Sequence, residues 1–135
     1  MYLLDTNILS ELIKKRPNRE FLERLRSKHP EDLFTSAICI LELRFGSALR
    51  PDAASFWAKI EQGIISRVRV IPFGKKEVLV AGNVLASLKN KGQIIGIEDV
   101  IIGATAMANH LAVVTANIRH FLRIEGLRVE NWLAR

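Results

Sequence analysis

Cysteine is almost absent: Cys39 is the only one in 135 residues. No disulfide can close within the chain, and a reducing compartment, the cytoplasm, is the expected setting. Long apolar runs are missing too. None approaches the roughly 20 residues that a membrane helix needs, and the first stops at Asp5. That opening also lacks the basic leader and long apolar centre of a signal peptide, so neither export nor membrane insertion is expected. There is no low-complexity tract, no Gly/Ser linker and no repeat at a solenoid period. One domain spanning 1–135 is therefore expected. A content of 49% hydrophobic and 25% charged residues is that of a folded globular protein, long enough to bury a core without staples.

The charge is not balanced. A formal net charge of +6 and a pI of about 9.9 favour polyanionic partners, nucleic acid first. The densest charge lies early, in KKRPNREFLERLRSKHPED. This run reads as a helical surface arm between Pro17 and His29-Pro30, with Phe21, Leu22 and Leu25 along one apolar edge.

Hydrophobic spacing predicts alternating strands and helices. Tyr2 to Leu4 form a short buried strand, followed by a helix from Asn7 to Lys14. Leu33 to Ala37 form a second strand, and a helix runs from about Ile38 to Leu49, where Arg50-Pro51 ends it. The next helix, Ala54 to Ile64, spaces Phe56, Ile60 and Ile64 by four. Val68 to Ile71 form a third strand closed by Pro72. Lys76 to Lys89 repeats at helical spacing through Val80, Val84 and Leu88, and Gly92 ends it. Ile97 to His110 is a helix with Ile97, Ile101, Ala104 and Ala108 on one face. Leu111 to Thr115 form the last core strand, and Leu127 to Val129 an edge strand. Such alternation predicts an α/β fold, a parallel sheet of four to five strands covered on both faces.

Three acidic residues interrupt these apolar segments. Asp5 ends YLLD, Glu42 breaks SAICILEL, and Asp99 heads IEDVIIGATAMA. Carboxylates beside buried segments are costly unless paired, hydrogen-bonded or metal-bound. Ligands of open parallel sheets bind beyond the carboxyl ends of the strands. Asp5 falls at such an end, and so does Asn117, just past the last core strand. If the first, second and last core strands are neighbours, Asp5, Glu42, Asp99 and Asn117 converge. Clustered carboxylates repel one another and need a cation or a proton. Oxygen ligands without His or Cys suit Mg²⁺ or Mn²⁺, and such ions activate water at a phosphate. Phosphodiester hydrolysis is the expected reaction. Each residue also has a plainer role. Asp5 suits a helix cap, Glu42 a solvent position opposite an apolar face of Ile38, Leu41 and Phe45, and Glu98 and Asp99 a helix N-terminus. Only the four together carry the site.

LLDTNILSEL, SAICILELRFGSALR, IEDVIIGATAMA, LAVVTANIRHF and GLRVENW, in that order, span nearly the whole chain. In this set the chain resembles PIN-domain ribonucleases, and more closely the VapC and FitB group of toxins from bacterial type II toxin–antitoxin pairs. The resemblance implies an α/β/α sandwich around a parallel sheet. It also implies a metal-binding acidic cluster of Asp5, Glu42 and Asp99 that cleaves structured RNA such as tRNA or rRNA. Thr6 or Ser36 would orient ligands or cap helices. The implied partners are a cognate antitoxin, whose C-terminal segment crosses the active-site groove, and a second copy in a homodimer.

One departure stands out. Where many relatives carry a fourth acid, just after the last strand or three positions later, this chain has Asn117 and His120. Asn117 can ligate a hard cation through its carbonyl oxygen but adds no charge, so a second ion is expected to bind more weakly than in a four-carboxylate site. His120 reads as a surface residue beside Phe121, against a role at phosphate or in proton transfer. Arg44, Arg119 and Arg123 are candidate phosphate contacts. A catalytically weakened RNA- or partner-binding module is the alternative. A phosphatase of the haloacid-dehalogenase type needs a second Asp where Asn7 stands.

Overall fold

Five short strands, every pairing parallel, form one sheet in the order β3-β2-β1-β4-β5. The computed structural model describes residues 1–133; of the domain expected over 1–135, the last two residues lie outside them. The strands are β1 (Tyr2–Leu4), β2 (Leu33–Ser36), β3 (Arg69–Ile71), β4 (Ala112–Val114) and β5 (Val129–Glu130). Leu3, Leu4, Val113 and Val114 are fully buried at the centre, as expected for parallel strands covered on both faces. Register aligns Leu4 with Val114 and Phe34 with Arg69.

Among the described residues seven α-helices surround the sheet: α1 (Thr6–Glu11), α2 (Arg19–Arg26), α3 (Ala37–Ala48), α4 (Ala53–Gly63), α5 (Lys75–Asn90), α6 (Ile97–Ala108) and α7 (Ile118–Phe121). None among the described residues is long and apolar enough to cross a membrane. Their ends follow local chemistry. Asp5, Asn18 and Ser36 cap α1, α2 and α3 by accepting from the backbone N–H of Thr6, Phe21 and Cys39. Gly92, at φ +66°, ends α5 as expected. Gly92 N donates to Lys89 O and Gln93 N to Leu88 O, the paired bonds of a left-handed helix stop.

The edge strand expected over Leu127 to Val129 lies instead at Val129–Glu130, and five larger departures stand beside it. α1 ends at Glu11 rather than Lys14, because the buried Glu11 carboxylate turns toward Lys14 Nζ and Asn18 N. α6 ends at Ala108 rather than His110, which takes φ 57° and closes the same kind of stop. α7 was not expected, since four residues are too few to show a period.

The fourth departure concerns which sides of the helices are buried. α3 turns Cys39, Leu43 and Ser47 inward and leaves Leu41 and Phe45 59% and 65% exposed. α6 buries Val100 and 102–106 while Ile97 is exposed. Both helices are apolar around most of their circumference, so spacing alone could not choose the buried side. Fifth, the basic run is no free arm. Phe21 and Leu25 of α2 are buried, and Phe21 packs near Trp132, which also meets Tyr2 edge-on at 5.0 Å between ring centroids.

Candidate active site

The chain leaves β1 toward β2 on one side and returns as β4 on the other. That reversal opens a crevice beyond the carboxyl ends of β1 and β4. Asp5 and Thr115 are the first residues past those two ends, and Asp5 N donates to Val114 O at 3.0 Å, which locks them side by side.

Hydroxyls hold the carboxylates there. Asp5 is buried; its Oδ1 accepts from Thr6 N at 2.7 Å and its Oδ2 from Thr115 Oγ1 at 2.8 Å. Thr6 Oγ1 donates to Glu42 Oε1 at 2.9 Å. Thr6 therefore orients both acids, whereas Ser36 serves as the α3 cap. Asp99, in the first turn of α6, meets His120 Nδ1 at 2.9 Å through Oδ2. Asn117 Nδ2 lies 3.2 Å from the same nitrogen. An ionised carboxylate only accepts, so the Asp99 contact is a hydrogen bond in the Nδ1–H tautomer, in which Nδ1 does not accept from Asn117 Nδ2. Asn117 is tied in a second way, because its backbone N donates to Thr115 Oγ1 at 2.9 Å.

The electrostatics follow from that crowding. Burial raises the Asp5 carboxyl above its ordinary range; the Thr115 and Thr6 hydrogen bonds oppose this, and the Asp99 charge adds to it. Burial likewise raises Glu42, relieved by Thr6 and reinforced by Asp5, Glu98 and Asp99. Burial also pushes the Cys39 thiol up, so it remains a protonated packing residue and no nucleophile.

Of the four side chains expected to converge, three carboxylates thus share one field, while the Asn117 carboxamide faces His120. Among the described residues no three His, Cys, Asp or Glu side chains close on one point as a ready ion cage. The donor chemistry still fits a hard divalent cation. The oxygens are carboxylates whose mutual repulsion a cation relieves, and Mg²⁺ keeps several waters, needing only one or two direct carboxylates. Of the candidate phosphate contacts, Arg44 stacks over Trp57 at 4.7 Å from the ring centroid, Arg123 donates to Ile94 O at 2.6 Å, and Arg119 is exposed.

His120 is the expectation that changes most. It belongs to the cluster through Asp99 rather than lying idle beside Phe121. In the sequence Thr115 reads as the last residue of a strand, and its place two before Asn117 is the signal of its role. Thr115→Val removes the donor to Asp5 and the acceptor for Asn117 N. Loss of partners that orient metal ligands typically costs 10–100-fold in activity or ion affinity. A Mn²⁺ affinity within about twofold of wild type would reduce Thr115 to a loop tie.

A PIN domain model matches residues 2–127. Ribonuclease VapC2 of Haemophilus influenzae is 35% identical over 132 residues, covering 98% of both chains. Toxin FitB of Neisseria gonorrhoeae is 31% identical over 137 residues, covering 98% of this chain and 99% of its own. The crystal structure of FitAcB from Neisseria gonorrhoeae superposes with a TM-score of 0.90 at 31% identity, covering 100% of both chains. With the acids gathered at the switch of a parallel sheet, and matches of this extent, the chain belongs to the PIN-domain family, among the VapC and FitB proteins.

Proposed function

We propose that this chain, as one domain spanning 1–135, is a metal-dependent endoribonuclease, the toxin of a type II toxin–antitoxin pair acting in the cytoplasm. Its substrate is structured RNA such as tRNA or rRNA, and its products come from phosphodiester hydrolysis. The observation that carries the reading is the buried Asp5 at the switch point, its carboxyl raised by burial and by Asp99. Carboxyls raised by burial and a neighbouring charge cluster at functional sites. Similarity to a ribonuclease and to a toxin supports the substrate class, and the resemblance of the sequence supports the cognate antitoxin and the homodimer.

Asp5, Glu42 and Asp99, with the Asn117 carbonyl oxygen, are the residues that would hold Mg²⁺ or Mn²⁺. When bound, such an ion lowers the pKa of water and offsets charge developing on phosphate oxygens. The chain supplies the rest. Thr115 and Thr6 fix Asp5 and Glu42 by donated hydrogen bonds, so their remaining lone pairs keep one direction. His120 fixes Asp99 in the same manner. With Asn117 and His120 in place of a fourth acid, the site carries three carboxylates, and a second ion binds less tightly than in a four-carboxylate site.

The test is a total-RNA pool incubated with antitoxin-free protein and Mg²⁺ or Mn²⁺, with EDTA as control. Discrete fragments that disappear in EDTA are expected, and end mapping identifies the target. Cleavage that persists in EDTA would remove the metal from the mechanism. RNA retained but uncut by folded, metal-supplied protein would make the chain a binding module, the reading that the Asn117 substitution favours.

A further inference from the structure

A groove of about 490 Å³ opens beside the acid cluster, with Thr6 and Glu42 in its wall. Ser10 and Ile13 continue that wall on the α1 side, Gly46 on the α3 side, and Phe56 of α4 contributes an apolar surface. Two cations, Lys14 and Arg50, also line it. The Arg50 guanidinium lies 3.8 Å from the centroid of the Phe56 ring. Asp52 grips its fork at 2.8 and 3.0 Å. A planar cation is thereby fixed with one face on an aromatic ring. At Gly46 an added Cβ would meet nothing within 4 Å, so the missing side chain leaves the groove open there.

We propose that this groove is a subsite for one unpaired nucleobase of the RNA, next to the phosphate held at the acid cluster. The inference rests on the ribonuclease reading and extends it to how the strand is gripped. Bases of single-stranded RNA bind by stacking on aromatic rings and guanidinium planes, and the volume lies within the range of small-ligand clefts. The groove begins at Thr6 and Glu42, so a base seated in it belongs to a nucleotide flanking the scissile bond. Lys14 and Arg50 are already paired with Glu11 and Asp52, so what the groove offers is the open face of the Arg50 guanidinium rather than free charge. Ser10 Oγ donates to Thr6 O within its own helix, which leaves its lone pairs to accept from a base N–H. A peptide segment is the competing occupant, but a guanidinium plane seated on an aromatic ring, in a groove continuous with a phosphate site, matches a base.

Gly46→Leu tests the assignment. The position is inside a helix, where leucine is more favourable than glycine, and the added atoms enter open space, so the fold is retained and thermal melting checks it. We expect KM for a single-stranded RNA oligonucleotide in Mg²⁺, and Kd for the same oligonucleotide in EDTA, to rise about tenfold or more, the scale of one lost base stack. Removing the base from one flanking nucleotide should produce a similar loss in wild type and little further loss in Gly46→Leu. Unchanged KM and Kd in a variant of an active wild type would overturn the subsite while leaving the ribonuclease reading in place. Absence of cleavage by wild type would overturn the ribonuclease reading, and the Kd in EDTA would still decide the groove. Unchanged RNA constants with weakened inhibition by the antitoxin would give the groove to a peptide and overturn the proposal.

Discussion

Asp5→Asn is expected to lose RNA cleavage by at least about a thousandfold while melting at or above the temperature of the metal-free wild type at neutral pH. The loss follows from removing one of three carboxylate charges. Metal-ion catalysis supplies several kcal/mol of transition-state stabilisation, and each 1.4 kcal/mol is tenfold in rate. The gain in stability follows from burial. The Asp5 carboxyl is raised by desolvation and by Asp99, so the folded chain still holds a proton at a pH where the unfolded chain has released it. Stability from this group is fully present below the unfolded pKa, about 3.9, and is lost as pH rises through the higher folded value. Glu42, raised in the same direction, adds to that loss. Asparagine keeps the Oδ1 acceptor that caps α1 and carries no charge to desolvate. The melting temperatures of the two proteins should therefore converge in acid and separate as pH rises. Activity retained by Asp5→Asn would remove it from the mechanism. A variant less stable than metal-free wild type at pH 7 would mean that its cap and Thr115 contacts outweigh the desolvation.

Trp132→Ala is expected to cost about 3–5 kcal/mol, the usual range for truncating a buried tryptophan. Total stabilities of single domains are only about 5–15 kcal/mol, so the variant would sit close to unfolding. Trp132 is fully buried. It packs edge-on against Tyr2 at 5.0 Å and near Phe21 at 6.5 Å, and its Nε1 donates to Glu130 Oε1 at 3.0 Å. Arg24 and Lys28 of the basic run lie 5.8 and 5.6 Å from its ring centroid. One side chain thus joins the start of β1, helix α2 and the segment after β5. Tyr2 and Asp5 lie at opposite ends of β1, so the acid cluster is not touched directly. Urea unfolding measures the cost, and a loss below about 1 kcal/mol would mean that this corner of the core repacks without it.

Much of this protein was legible in local pattern. The short runs 2–4 and 111–115 read as buried strands, Gly92 read as a helix stop, and acids abutting such segments called for a partner or a cation. The ordered motifs carried the family. Those readings depend on residue chemistry and on spacing along one element, both of which are written in the chain itself.

Tertiary structure decided what lies between elements. Placing β1 beside β4 brought Thr115 onto Asp5, residues 110 positions apart in sequence, and no periodicity encodes such a contact. Helix α7 set His120 against Asp99 because its single turn follows the strand that adjoins Asp5. The rotation of α3 left Leu41 and Phe45 outside and turned Glu42 toward Thr6, since a helix apolar on most sides is oriented by what it packs against. The sequence by itself determined which groups must be paired, because burial makes an unpaired charge costly wherever it falls. Only the order of strands and the packing of helices determined which hydroxyl, imidazole and carboxylate meet, because hydrogen bonds act over about 3 Å and only the folded chain brings distant residues that close.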